Sequence, residues 1–139
     1  MHILDNPAWA ALTGPHRRFA ERVGAAVRYQ PDVAPFITVA PGSGPDVWAD
    51  VAALAGPGEV VTVTGTAPLP PEHWEVVLEA GGVQLLDVAL QARPDPEAVR
   101  LTAATNTTAI RLYESIGFEL RRRTTFRAVR VPSLVGGTA

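Results

Sequence analysis

Two short β-branched runs with a helical stretch between them constrain the fold more than any other feature of the chain. Phe36-Ile37-Thr38-Val39-Ala40 is bounded by Pro35 and Pro41-Gly42, and Val60-Val61-Thr62-Val63-Thr64 follows Gly56-Pro57-Gly58. Runs of this composition, closed by turn residues, are buried strands. Between them Gly44-Pro45-Asp46 opens a helix in which Val47, Trp48, Val51, Ala52, Leu54 and Ala55 cover the inward side. The Gly-Pro-Gly sequence then stops it. Strand, helix and strand at this spacing predict an α/β unit.

The flanks extend that unit in both directions. Asn6-Pro7 pairs an Asn cap with proline at the first helical position, and the helix runs on through Ala8 to Leu12. After Gly14, Pro15 opens a second amphipathic stretch with Phe19, Ala20, Val23 and Ala26 on one face and Arg17, Arg18, Glu21, Arg22 and Arg28 solvated, so a helical hairpin is expected. Pro70-Pro71-Glu72 starts a short helix to Glu79, although Val76-Val77-Leu78 would also serve as a strand, and Val83 to Leu90 is a further strand. Arg93-Pro94-Asp95-Pro96 is the clearest linker signal. Beyond it Ala98 to Ala103 reads as a strand, Thr107 to Ile116 as a helix, and Phe118–Arg123 with Phe126–Val131 as a hairpin before a frayed tail. The expected fold is a mixed α/β sheet in two regions, residues 1–92 and 93–139.

At 139 residues the chain can bury ~65–70% of its unfolded surface, so a core needs no disulfide or metal staple. Trp9, Trp48 and Trp74 are its expected anchors. There is no cysteine, which removes thiol nucleophiles and thiolate zinc sites. All 12 basic residues are arginine, so no side chain can form a Schiff base or serve a Walker-type loop. His2, His16 and His73 lack metal-ligand spacing, and no metal is expected. No stretch has the length or apolarity to span a membrane and the start has no secretory pattern, which predicts a cytoplasmic protein.

The net charge of -2 hides an asymmetry: ten acids against four arginines in residues 1–92 give -6, and four acids against eight arginines in residues 93–139 give +4. Such a distribution suits an anionic ligand, or docking of the two parts against each other. Arg121-Arg122-Arg123 has no interleaved aromatics, so nucleic acid is not an expected partner.

Chemistry concentrates in residues 101–118, Leu-Thr-Ala-Ala-Thr-Asn-Thr-Thr-Ala-Ile-Arg-Leu-Tyr-Glu-Ser-Ile-Gly-Phe. Asn106 can cap a helix, Ala109, Leu112, Tyr113 and Ile116 follow at helical spacing, Gly117 suits the left-handed stop, and Phe118 is placed to fold back on Tyr113. On physics alone this is a core helix with a tyrosine at its wet edge, or an anion- or amide-binding helix start with Tyr113 as a proton donor.

The spacing N-x-x-A-x-x-x-Y-E-x-x-G-F resembles the acetyl-coenzyme A binding motif of the GNAT N-acetyltransferases. That resemblance implies that Asn106 contacts the pantetheine arm or phosphates, Ala109 lines the cofactor side of the helix, and Tyr113 protonates the departing thiolate. It further implies acetyl transfer from acetyl-CoA to an amine of a small molecule or peptide. Residues 1 to about 97, with N-P-A-W-x-A-L-T-G-P-H and P-x-V-x-P-F, look like the amino-terminal part of longer GNAT proteins of actinobacterial type. The family's pyrophosphate loop, [RQ]-x-x-G-x-[GA], has no counterpart; Gly42-Ser43-Gly44 and Gly56-Pro57-Gly58 suit a helix entrance and a helix stop instead. A non-catalytic docking or homodimerisation module, in which the motif merely completes a sheet, is the alternative.

Overall fold

The computed structural model describes residues 2–87, 102–103, 107–115 and 117–133. They fall into two compact units, Met1–Glu79 with Phe126–Ala139, and Ala80–Thr125. The linker expected near residue 93 lies outside the described residues.

The first unit contains α1 (Pro7–Leu12), β1 (Ala20–Val23), β2 (Ala26–Tyr29), β3 (Phe36–Val39), α2 (Val47–Ala55) and β4 (Val60–Val63), with the beginning of β5 (Glu75–Asp87) and the end of β7 (Phe118–Arg130). Its strands lie in the order β1-β2-β3-β4-β7-β5. β3 and β4 are parallel, joined through α2, and β4 is antiparallel to β7. The expected mixed α/β sheet with its strand-helix-strand unit is therefore present.

Alternation along β3 sorts its side chains between two helical layers. Ile37 and Val39 join Val47, Trp48 and Val51 of α2 in the core, together with Val61, Val63, Trp74, Val129 and Val131. Thr38 turns the other way, toward Asn6 at the start of α1. Ala52, Leu54 and Ala55 pack partly buried against the same core, which gives α2 the inward side anticipated for it. Trp48 and Trp74 are core anchors as expected, whereas Trp9 is half-buried with the Arg22 guanidinium 5.2 Å above its ring.

The second amphipathic helix does not form. A 3₁₀ turn over Arg17–Phe19 leads into β1, which pairs antiparallel with β2, Val23 opposite Ala26. The two residues between them decide the matter: Gly24 takes φ 54°, a left-handed value that glycine adopts at little cost and that suits a two-residue hairpin turn. The turn is pinned to α2, because the Ala25 N–H donates to Asp50 Oδ2 at 3.0 Å and a Cβ on residue 24 would overlap that carboxylate.

Two further expectations are corrected. The helix begun at Pro70 is absent, and β5 runs unbroken from Glu75 through Gly81-Gly82 to Asp87; Val76-Val77 favour extended backbone and tertiary pairing outweighs the glycines. The carboxy-terminal hairpin is instead a single strand, β7, because Thr124-Thr125 is β-branched and has none of the Gly, Asn or Asp chemistry of a turn.

The second unit consists of the remainder of β5 and β7, the two-residue β6 (Thr102–Ala103) and α3 (Thr107–Ser115), with strand order β7-β5-β6. β6 is antiparallel to β5, Gly82 opposite Ala103 and Val83 opposite Thr102.

Asn6 is 2% exposed and makes three contacts: its Oδ1 accepts from Trp9 N–H (3.2 Å) and from Thr38 Oγ1 (3.0 Å), while its Nδ2 donates to the Val39 carbonyl (3.1 Å). Asn6→Ala is expected to cost about 2–3 kcal/mol, since it removes a helix cap and strands buried partners. Asn6→Asp should be no better in a thermal melt despite being a good cap, because a carboxylate cannot donate to Val39. A melting temperature for Asn6→Asp equal to wild type would reduce the residue to its capping role.

Candidate functional site

Where it is described, the segment folds as a helix, a glycine stop and a strand. α3 spans nine residues and ends at Gly117, φ 111°, whose N–H donates to the Glu114 carbonyl at 3.3 Å. Phe118 then opens β7, and its ring meets Tyr113 edge-on, with centroids 5.9 Å apart and planes at 65°. This is the fold-back expected of a residue just beyond a helix stop, and aromatic edge-to-face pairs add about 0.5–1.5 kcal/mol beyond the area they bury. Tyr113 and Ala109 are both half-buried on the helix. Asn106 and Ile116 lie outside the described residues.

One detail of the expected face changes. Leu112 is 58% exposed, and the half-buried residues of α3 are Ala109, Ile110 and Tyr113. Residues at i, i+1 and i+4 also share a side of a helix, so the motif's Ala and Tyr stay together while the leucine turns to solvent.

In the first unit, the connection from β3 to α2 is a glycine-containing strand-loop-helix turn. Gly42 has φ 78°, Ser43 Oγ donates to the Ala40 carbonyl, and the Val47 N–H donates to the Gly44 carbonyl at 3.1 Å. It is a helix entrance, as its sequence suggested. Its chemistry is poor for phosphate: Pro41 and Pro45 remove backbone donors, Asp46 sits exposed at the cap, and residues 40–46 contain no arginine. Gly56 closes α2 with its N–H on the Ala52 carbonyl at 2.9 Å, which bears out the helix stop.

A second pair of titratable groups was not foreseen. His16 Nδ1 lies 2.8 Å from Tyr29 Oη, and burial pushes the Tyr29 phenol above its ordinary value of 10. Thirteen residues separate the two, and a helix over 15–28 would have kept them apart. The signal was present in Gly24: once a hairpin forms there, register sets Ala20 opposite Tyr29 and brings the strand end toward His16. Among the described residues no group of three or more His, Cys, Asp or Glu is placed to hold a metal ion, and no helix is long and apolar enough to cross a membrane.

The eight arginines of residues 93–139 are partly accounted for by neighbouring acids. Arg127 Nε is 2.9 Å from Glu79 Oε2 and Arg130 Nε 2.8 Å from Glu75 Oε2, and in the other unit Arg121 Nη1 donates to Gln84 Oε1 at 2.8 Å. Exposed ion pairs such as the first two contribute about 0–1 kcal/mol each.

No family model and no curated protein matches the sequence. Among solved structures, the chain is similar to a protein from Novosphingobium aromaticivorans DSM 12444 described as an acetyltransferase from the GNAT family, with a TM-score of 0.73 at 20% identity over 93% of this chain and 98% of that one. At that identity the likeness is one of fold, and the fold of this chain is of the GNAT type.

Proposed function

We propose that the chain is an acyl-transfer protein of the GNAT type, moving an acetyl group from acetyl-CoA to an amine on a small molecule or peptide in the cytoplasm. One observation carries this: α3, Gly117 and Phe118 form the closed helix-stop-strand arrangement of the motif, with Tyr113 held against Phe118 yet only half-buried, so that a ligand can reach it. The GNAT-type fold supports it.

The donor fits the second unit better than the first. Its phosphates need positive charge, and α3 and β7 offer Arg111, Arg121, Arg122 and Arg123, whereas the loop before α2 offers Asp46. Acetyl-CoA would supply the acyl group as a thioester. The chain's own contribution is a proton on Tyr113 Oη for the sulfur that leaves as the amine nitrogen bonds to the carbonyl carbon. Asn106 would hold the helix start and face the pantetheine arm or phosphates, with Ala109, small enough to admit the donor, on the same helix. No general base is assigned, so the amine must arrive neutral or lose its proton to water.

A non-catalytic docking or homodimerisation module is favoured by one feature of the sheet. β5 carries three consecutive exposed apolar residues, Val76, Val77 and Leu78, at 44%, 46% and 61% exposure. Exposed apolar strands of this kind invite pairing with a second sheet. On this reading Leu78→Lys turns a dimer seen by light scattering into a monomer, and Tyr113→Phe changes nothing.

The acetyl-transfer proposal makes the opposite demand of Tyr113: Tyr113→Phe is expected to lower turnover by roughly 100-fold while leaving acetyl-CoA affinity within about twofold. Asn106 separates capping from binding. Asn106→Ala should cost about 1 kcal/mol of stability, whereas Asn106→Asp should melt near wild type, yet lose roughly tenfold in acetyl-CoA affinity by calorimetry because its carboxylate opposes the phosphates. Absence of saturable acetyl-CoA binding at millimolar concentration would overturn the proposal.

A further inference from the structure

The first unit contains a cavity of about 570 Å³ beside α2 that neither the motif nor the acyl-transfer proposal uses. Trp48 and Trp74 form part of its wall, their rings 5.1 Å apart and tilted at 65°, and Ala52 and Ala53 of α2 form another part. Four prolines, at positions 45, 57, 71 and 132, line the remainder. Volumes of roughly 300–1,000 Å³ are typical of small-molecule sites. Proline walls and buried indoles lose little conformational freedom when a ligand arrives, so the site is formed in advance.

Charge says what kind of ligand suits it. Asp46 is the one carboxylate among the described lining residues, His73 stands on the lining as well, and no arginine lines the cavity. Phosphate or carboxylate ligands therefore meet a repulsive rim, and a cation meets an attractive one.

We propose that this cavity is a binding site for a small apolar molecule carrying one positive charge, with its apolar body against Trp48, Trp74 and the alanines and its cation toward Asp46. Binding there requires no acetyl transfer and stands or falls independently of it.

Three isosteric probes test the proposal on the full chain by isothermal calorimetry: 4-phenylbutylamine, the neutral 4-phenylbutan-1-ol and the anionic 4-phenylbutyrate. The amine is expected to bind at one site, the alcohol about fivefold more weakly, as an exposed charge pair allows, and the carboxylate more weakly still. Asp46→Asn should erase the advantage of the amine over the alcohol. Its melting temperature should fall only slightly, since the Asp46 side chain makes no capping hydrogen bond to α2 and contributes its charge alone at the helix start. Ala53→Leu, at an exposed helix position, should narrow the cavity and weaken binding of amine and alcohol alike without loss of stability. The proposal is overturned by no saturable amine binding, by equal affinity for amine and alcohol, by an amine affinity that Asp46→Asn leaves unchanged, or by amine and alcohol affinities that Ala53→Leu leaves unchanged.

Discussion

The carboxamide of Asn6 ties together pieces of chain that are distant in sequence. Its oxygen receives the Trp9 N–H in the first turn of α1 and the hydroxyl of Thr38, and its amide closes on the carbonyl of Val39 at the end of β3. Thr38 Oγ1 also lies 3.1 Å from the Thr64 carbonyl just beyond β4, so one buried polar cluster spans a helix start and the ends of two parallel strands. A carboxamide carries its acceptor and its donor on separate atoms, so it can serve both sides at once, and asparagine is short enough to cap a helix as well. A satisfied cluster of this kind fixes a single arrangement, because each partner left unpaired in the interior costs about 1–3 kcal/mol. The position of α1 over β3, and with it the layer opposite α2, follows from this side chain.

On the other face, the hairpin of β1 and β2 is anchored in a similar way. The Asp50 carboxylate on α2 takes the Ala25 N–H at the tip, and the absence of a side chain on Gly24 lets it approach. Helices on both faces are thus joined to the sheet by buried or half-buried polar contacts, Asn6 to Thr38 and Val39 on one side and Asp50 to Ala25 on the other, set among apolar packing. The apolar core supplies the larger part of the stability, and these polar contacts decide which of several packings it serves.

Much of this was legible in the sequence. Asn6-Pro7 announced both the start of α1 and the residue that caps it, and the two valine-rich runs with their glycine and proline borders gave β3, α2 and β4 nearly to the residue. What failed was periodicity in short segments. Phe19, Ala20, Val23 and Ala26 fit a helical face, yet four residues at such intervals also fit two strands joined at Gly24, and the hydrogen bonds that arbitrate come from Asp50, 25 residues away. Thr124-Thr125 failed in the opposite sense, since the expected hairpin turn falls where β-branched backbone simply continues. The motif was legible in its stop and its aromatic pair, Gly117, Phe118 and Tyr113, and misjudged at Leu112, because a single helix gives no sign of which of its two apolar edges tertiary packing will cover.

The two helix starts that follow strands in this chain are electrostatically unlike, and that difference bears on where an anionic donor can be held. Before α2 the backbone donors are thinned by Pro41 and Pro45, and Asp46 already answers the positive end of the helix dipole. An arriving phosphate would have to displace that interaction and face its charge. Before α3 there is no acid between Leu101 and Thr108, and the first charged residue on the helix is Arg111. A helix start with no acid of its own, followed by a cation one turn on, favours negative charge more than one that begins with a carboxylate. The charges along the two helices are therefore opposite in sense: an apolar, acid-rimmed cavity lies along α2, and α3 carries Arg111 and Tyr113 with no acid in its first turn.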